Sequence, residues 1–223
     1  MKELISYLSA FVTKERLLLF DKIIEQRTRY ITIVLEDIYQ PQNASAVLRT
    51  CDCFGIQDIH IIENRNEFSP NPNVELGASK WLTLNKYNKE EENSLKSIKQ
   101  LKQKGYRIVA TTPHKDDTLL DQLDLSEKTA IIFGTELEGL SETAISNADA
   151  FVKIPRYGFT ESFNISVSAA IVLHHLTEKL RASDIPWQMS EDDILGTRLS
   201  WAKSVVKHPD KHEAAFRKSI GAE

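Results

Sequence analysis

Apolar positions near the amino terminus recur at helical spacing. In TKERLLLFDKIIEQRTRY, Leu17, Phe20, Ile23 and Ile24 share a face, so residues 1–29 read as helix, with Thr13 placed to cap it. The period then changes. YITIVLE is β-branched and apolar, the pattern of a strand covered on both faces. Asn43 to Phe54 reads as helix, with Gly55 as its stop, and IQDIHIIE is a second strand. Residues 64–80 hold Pro70 and Pro72 and read as a long loop, a feature that in compact domains tends to serve function. WLTLNKY is a short strand, and KEEENSLKSIKQLKQKG is an amphipathic helix closed by Gly105. YRIVATT and TAIIFGT are two further buried strands. A short helix in EGLSETAISNADA leads to a last strand, FVKIP, and SFNISVSAAIVLHHLTEKLRA is a long helix with a nearly continuous apolar face.

This alternation predicts an α/β fold, a mostly parallel sheet with helices on both faces. From Ser183 the chain turns acidic, and a further helical pattern, broken at Pro209, carries Arg198, Lys203, Lys207, Lys211, Arg217 and Lys218. Three segments result: a helical extension over 1–29, the α/β domain over 30–182, and a basic helical extension over 183–223. The length of 223 residues agrees with one domain plus appendages.

Composition excludes several classes. Cys51 and Cys53 are the only cysteines and stand one residue apart, so no disulfide framework is available and a reducing, cytoplasmic setting is expected. No apolar run approaches the roughly 18 residues of a membrane span. The start MKELISYLSA, with an acid at once and no apolar block, is not expected to act as a secretory signal. His174 and His175 are adjacent and point to different faces of their helix, so no metal site is expected. The net charge of −4 excludes a generic polycation but leaves room for a local basic patch.

Candidate chemistry sits at strand ends, where α/β proteins place their sites. No G-x-G-x-x-G follows the first strand, and GTELEGLS lacks the Lys and Ser/Thr of a phosphate loop. After the first strand, Pro41 stops extension and Asn43 can cap the next helix, which carries Arg49 among Val47, Leu48 and Cys51. Glu136 lies in a tight turn between Gly134 and Gly139. After the last strand, a loop containing Gly158 feeds a helix that starts at Ser162 or Asn164. Taken singly, Asn43 and Ser162 are explained by capping.

Together the segments ITIVLEDIYQPQNASAVLRTCDCFGI, IIFGTELEGLS and FVKIPRYGFTESFNISVSAAIVL resemble the three motifs of the SpoU/TrmH family of RNA 2′-O-methyltransferases, in order and over residues 31–173. The opening segment and the basic tail look like the branch that acts on guanosine-18 of tRNA. Only about 30 residues precede the first motif, too few for a separate substrate-binding domain. The resemblance implies a SPOUT-type sheet with a carboxy-terminal trefoil knot, although knots are rare in general. It implies S-adenosyl-L-methionine as cofactor, a homodimer, and tRNA as partner. It puts Gly134, Ile154 and Phe163 at cofactor positions, with Thr111 at the end of the fourth strand; Phe163 replaces the commoner Leu. It assigns Asn43 and Arg49 to the RNA side, and Glu136, Ser162 and Asn164 to the junction of RNA and cofactor.

Arg49 is, by the same resemblance, the activator of the 2′-hydroxyl. A guanidinium rarely gives up a proton, so anchoring a phosphate and stabilising the developing alkoxide suit it better. Phosphate contacts are expected from Arg16, Lys22, Arg27 and Arg29 at one end of the chain and from Arg198, Lys203 and Lys207 at the other. Two alternatives stay open: methylation of another tRNA or rRNA nucleotide, and a catalytically silent RNA-binding homologue.

Overall fold

The amino-terminal helical pattern forms two helices rather than one, α1 (Lys2–Ser9) and α2 (Lys14–Ile24). The break falls where Thr13 leaves helical geometry to cap α2, its hydroxyl accepting from the Arg16 N–H at 3.3 Å. The computed structural model describes residues 1–112, 118–135 and 137–221. Residues 1–27 and 188–223 form one compact unit, and residues 28–187 form another.

The larger unit follows the expected alternation. Its elements run β1 (Ile31–Glu36), α3 (Pro41–Cys53), β2 (Asp58–Ile62), α4 (Pro72–Glu75), β3 (Thr83–Tyr87), α5 (Asn93–Gln103), β4 (Arg107–Thr111), β5 (Thr118–Leu119), β6 (Thr129–Phe133), α6 (Glu142–Asn147), β7 (Ala150–Lys153) and α7 (Ile165–Arg181). The strands make one sheet in the order β3-β2-β1-β6-β4-β7-β5, with every pairing parallel. β5 has two residues, too few to show a period, and was not separable from loop in the sequence. The long loop contains the single-turn α4, capped by Asn71, and a short turn of 3₁₀ helix at Ala78–Lys80.

Strand alternation sends β1 side chains to two cores. Ile31, Ile33 and Leu35 pack with Val47, Leu48 and Cys51 of α3 and with Ala169, Val172 and Leu173 of α7. Val34 faces the other way, with Ile98 and Leu101 of α5 and Ala144 of α6. Both faces are thus covered, which is why β1 is buried along its whole length and lacks any polar-apolar alternation. Thr32, on the second face, satisfies its hydroxyl on the Asp58 carbonyl at 2.6 Å. The chain lays down β4 before β6, and β6 then enters between β1 and β4. The carboxyl ends of β4, β6 and β7 are thereby neighbours.

The smaller unit adds α8 (Glu191–Val205), capped by Ser190, and α9 (Pro209–Ser219), with Pro209 at its first position. Leu4 and Leu8 of α1 share a small core with Ala202 and Val206, and Trp201 is buried beside Phe20, ring centroids 5.3 Å apart. The tail therefore supplies packing for the amino-terminal helices as well as charge. Among the described residues no helix is long and apolar enough to cross a membrane.

Candidate active site

Loops from the ends of β4, β6 and β7 line an open cavity of about 420 Å³. That is within the usual range for small-molecule sites. Thr111 ends β4 and donates its hydroxyl to the Ile132 carbonyl at 2.8 Å, tying the β4 wall to β6. Gly134 follows β6. A Cβ there would stand 2.2 Å from the Gly139 carbonyl oxygen, so only glycine permits the turn. Across that turn Thr135 and Gly139 exchange backbone hydrogen bonds of 2.9 and 3.0 Å, and Gly139 adopts φ 72°. Ile154 comes directly after β7, while Ser162 and Phe163 precede α7, and all three line the cavity.

Thr111, Gly134, Ile154 and Phe163 are thus drawn from three strand ends and one helix start into one wall. Leu140, Val152 and Val172 complete its apolar part. Glu138, Arg156 and Glu161 bring charge to it. None of these three stands out in the sequence, although each lies inside one of the motif segments. Glu138 also receives the Arg65 guanidinium at 2.6 Å. Glu136 lies outside the described residues.

Asn43 does not cap α3. Pro41, which lacks an N–H, takes the first helical position, so Gln40 is the cap residue and Asn43 sits inside the first turn. Asn43 is buried; its Nδ2 donates to Gln40 Oε1 at 3.0 Å, and its Oδ1 accepts from Asn164 Nδ2 at 3.0 Å. Asn164 in turn is the cap of α7, its Oδ1 accepting from the Ser166 N–H at 2.8 Å. Of the two proposed starts for that helix, Asn164 is the one used, and Ser162 faces the cavity instead. Arg49 is exposed on α3, does not line the cavity, and forms no ion pair among the described residues.

The basic candidates divide by environment. Arg16, Lys22 and Lys207 are exposed. Arg198 is paired with Asp21, Lys203 with Glu213, and Arg29 with Asp58 at 3.5 Å. Arg27 departs from the expected surface role: it is only 3% exposed, with its guanidinium 5.5 Å from the centre of the Trp201 ring. A cation placed over a buried indole is committed to packing. Among the described residues no group of His, Cys, Asp and Glu has the arrangement of a metal site.

An all-parallel α/β sheet with a ligand-sized cavity at the ends of β4, β6 and β7 defines an α/β protein with a small-molecule site at its strand ends, and the sequence comparison supplies the family. Residues 30–174 match the SpoU rRNA Methylase family, and the chain belongs to that family. It is 46% identical over 204 residues to the tRNA (guanosine(18)-2′-O)-methyltransferase of Borreliella burgdorferi, covering 92% of each chain. It is 32% identical over 161 residues to the protein of the same name from Thermus thermophilus, covering 72% of this chain and 81% of that one. A solved TrmH/SpoU tRNA modifying enzyme from A. aeolicus superposes with a TM-score of 0.76 at 26% identity, covering 87% of this chain and 98% of that one. The family resemblance and the α/β sheet read from the sequence are both borne out.

Proposed function

We propose that this protein transfers a methyl group from S-adenosyl-L-methionine to the ribose 2′-hydroxyl of guanosine-18 in the D-loop of tRNA. The observation that carries this reading is the 46% identity, over 92% of both chains, to a relative named for that reaction. The cavity suits the cofactor: its apolar wall accepts an adenine and a thioether chain, and Glu138, Arg156 and Glu161 offer partners for a zwitterionic amino acid end. The absence of a phosphate-binding fingerprint fits a cofactor without phosphates. When bound, S-adenosyl-L-methionine supplies an electrophilic methyl group.

Thr111, Gly134, Ile154 and Phe163 would hold the cofactor, and Ser162, Asn43, Asn164 and Glu136 would orient the target ribose beside it. Arg49 would anchor the adjacent phosphate and stabilise the alkoxide as it develops, a role that suits an exposed guanidinium with no ion pair among the described residues. Arg16, Lys22 and Lys207 would contact tRNA phosphates, with Arg198 available by exchange of its exposed partner Asp21, and Arg29 and Lys203 by release from the mostly buried carboxylates of Asp58 and Glu213.

The reading includes a trefoil knot in the carboxy-terminal part of the domain, a homodimer and action in the cytoplasm. Leu137, Tyr157, Phe159 and Val167 are exposed apolar side chains, and their exposure supports an assembly that covers them.

The test is methyl transfer from labelled S-adenosyl-L-methionine to a tRNA transcript, beside the same transcript with 2′-deoxyguanosine at position 18 and beside ribosomal RNA. Label that disappears with the single deoxy substitution is the expected result. Label that persists there, or appears only in ribosomal RNA, assigns the same chemistry to a different nucleotide.

A further inference from the structure

β1 ends in Glu36 and Asp37 follows it, two acids that are 2% and 3% exposed. A carboxylate removed from water is tolerated only where donors replace that water. Here the replacement donors lead to one place. Glu36 Oε1 accepts from the Ser141 hydroxyl at 2.7 Å and from the Ser94 hydroxyl, and its Oε2 accepts from the Ser141 N–H at 2.9 Å. Asp37, at φ 53°, accepts with Oδ1 from the N–H groups of Asn64 and Arg65 at 2.7 and 2.9 Å. Arg65, fixed in this way at its backbone, extends its guanidinium to Glu138 at 2.6 Å.

Both routes end on the turn from Gly134 to Ser141, the segment that walls the cavity through Thr135, Glu138, Gly139 and Leu140. We infer that Glu36 and Asp37 are positioning residues that clamp this turn in its cofactor-accepting shape. Glu36 holds the carboxyl end directly through Ser141, and Asp37 holds the middle through Arg65. Neither acid lines the cavity, so neither touches the cofactor. The inference rests on the reading of the cavity as the S-adenosyl-L-methionine site.

The two arms are unequal. Glu36 is buried where it makes its three bonds, whereas Arg65 and Glu138 are exposed, and water screens such a pair. Ser141 also caps α6 by accepting from the Ala144 N–H at 3.1 Å, so the Glu36 arm anchors the turn to a helix as well as to the sheet.

Calorimetric titration with S-adenosyl-L-methionine and amide exchange at Gly139 in the ligand-free protein test this together. The Gly139 N–H is bonded across the turn to the Thr135 carbonyl at 3.0 Å, so its exchange reports the turn itself. Glu36→Ala and Ser141→Ala should weaken binding about tenfold or more, and Arg65→Ala no more than about threefold. Gly139 exchange should quicken in the same order. Glu36→Gln, which keeps one acceptor for the Ser141 N–H, should recover part of both. Ser190→Ala removes a comparable helix cap from the other unit and should change neither readout. Glu36→Ala or Ser141→Ala protein that is folded by circular dichroism and shows wild-type affinity and wild-type Gly139 exchange overturns the clamp. Should Glu36→Ala fail to fold, Ser141→Ala decides alone. Failure of the wild-type protein to bind S-adenosyl-L-methionine overturns the cofactor reading instead, and Gly139 exchange still decides whether the acids hold the turn.

Discussion

Asn164 donates its side-chain amide to Asn43 Oδ1 at 3.0 Å and so joins the start of α7 to the start of α3 across 121 positions of sequence. The two residues come from the first and third motifs, and each has a second local duty: Asn164 caps α7, and Asn43 donates to Gln40. Asn164→Ala should therefore lose a cap and a hydrogen bond, about 1–2 kcal/mol in all. A double-mutant cycle with Asn43→Ala, followed by chemical denaturation, should show a coupling of about 0.5–1.5 kcal/mol. Strict additivity would mean that the bond contributes nothing.

Gly134→Ala should weaken S-adenosyl-L-methionine binding by more than about tenfold. The new methyl group would meet backbone atoms of Gly139 and Leu140, so the turn has to open and the Thr135–Gly139 pairing must break. Calorimetry on protein shown to be folded is the check. Binding at wild-type strength would place the cofactor elsewhere.

Arg49→Ala should slow methyl transfer by at least about a hundredfold, the usual scale for removing one stabiliser of developing charge. Cofactor affinity should stay unchanged, because Arg49 is outside the cavity wall. Lys at this position should restore little if the guanidinium grips a phosphate with two bonds. Single-turnover rates with saturating cofactor separate these effects, and near-normal turnover in the alanine variant would remove Arg49 from the mechanism.

Exposed lysines of the helical unit should govern tRNA affinity. Lys22→Ala and Lys207→Ala should each lower it and flatten the dependence of log K on log salt by about one unit of slope per lost phosphate contact. Arg27→Ala should act differently, lowering thermal stability through lost packing on Trp201 while leaving the salt slope in place. Point variants are the right tool here. Deleting residues 195–223 would strip Ala202 and Val206 from the core that covers Leu4 and Leu8.

His60 predicts the response to acid. It is buried on β2 with Nδ1 2.9 Å from the Tyr87 hydroxyl, and burial, aided by the Lys104 charge, pushes its pKa down to about 4. The unfolded chain, with an ordinary histidine near 6.5, binds the proton more readily than the native state between those values. The His60 contribution to stability is therefore intact above about pH 6.5 and is lost as pH falls toward 4, by up to about 3 kcal/mol. Denaturation midpoints across that window should fall less steeply in His60→Gln than in the wild-type protein.

The strands were legible where burial on both faces leaves a continuous apolar run, as in Ile31–Glu36 and Thr129–Phe133. Local capping chemistry was legible too, at Thr13 and Asn164. Where neighbouring signals competed, the reading slipped. Pro41 outweighed Asn43 as the start of α3, and a capping threonine divided what looked like one amino-terminal helix. Glu36 stood in plain view as an acid at the end of an apolar strand, yet its partner Ser141 is 105 positions away.

The sequence by itself determined the parallel α/β class and the three motif segments, because side-chain period and motif spacing are properties of neighbouring residues. Only the tertiary structure decided that Thr111, Gly134, Ile154 and Phe163 share one wall, that Arg27 is buried, and that the acids at the end of β1 and just after it reach the turn that follows β6. The first and last depend on strand order, and the burial of Arg27 depends on the packing of the helical unit, where it meets Trp201. With β6 inserted between β1 and β4, strand ends distant in the chain become neighbours, and no local pattern records that placement.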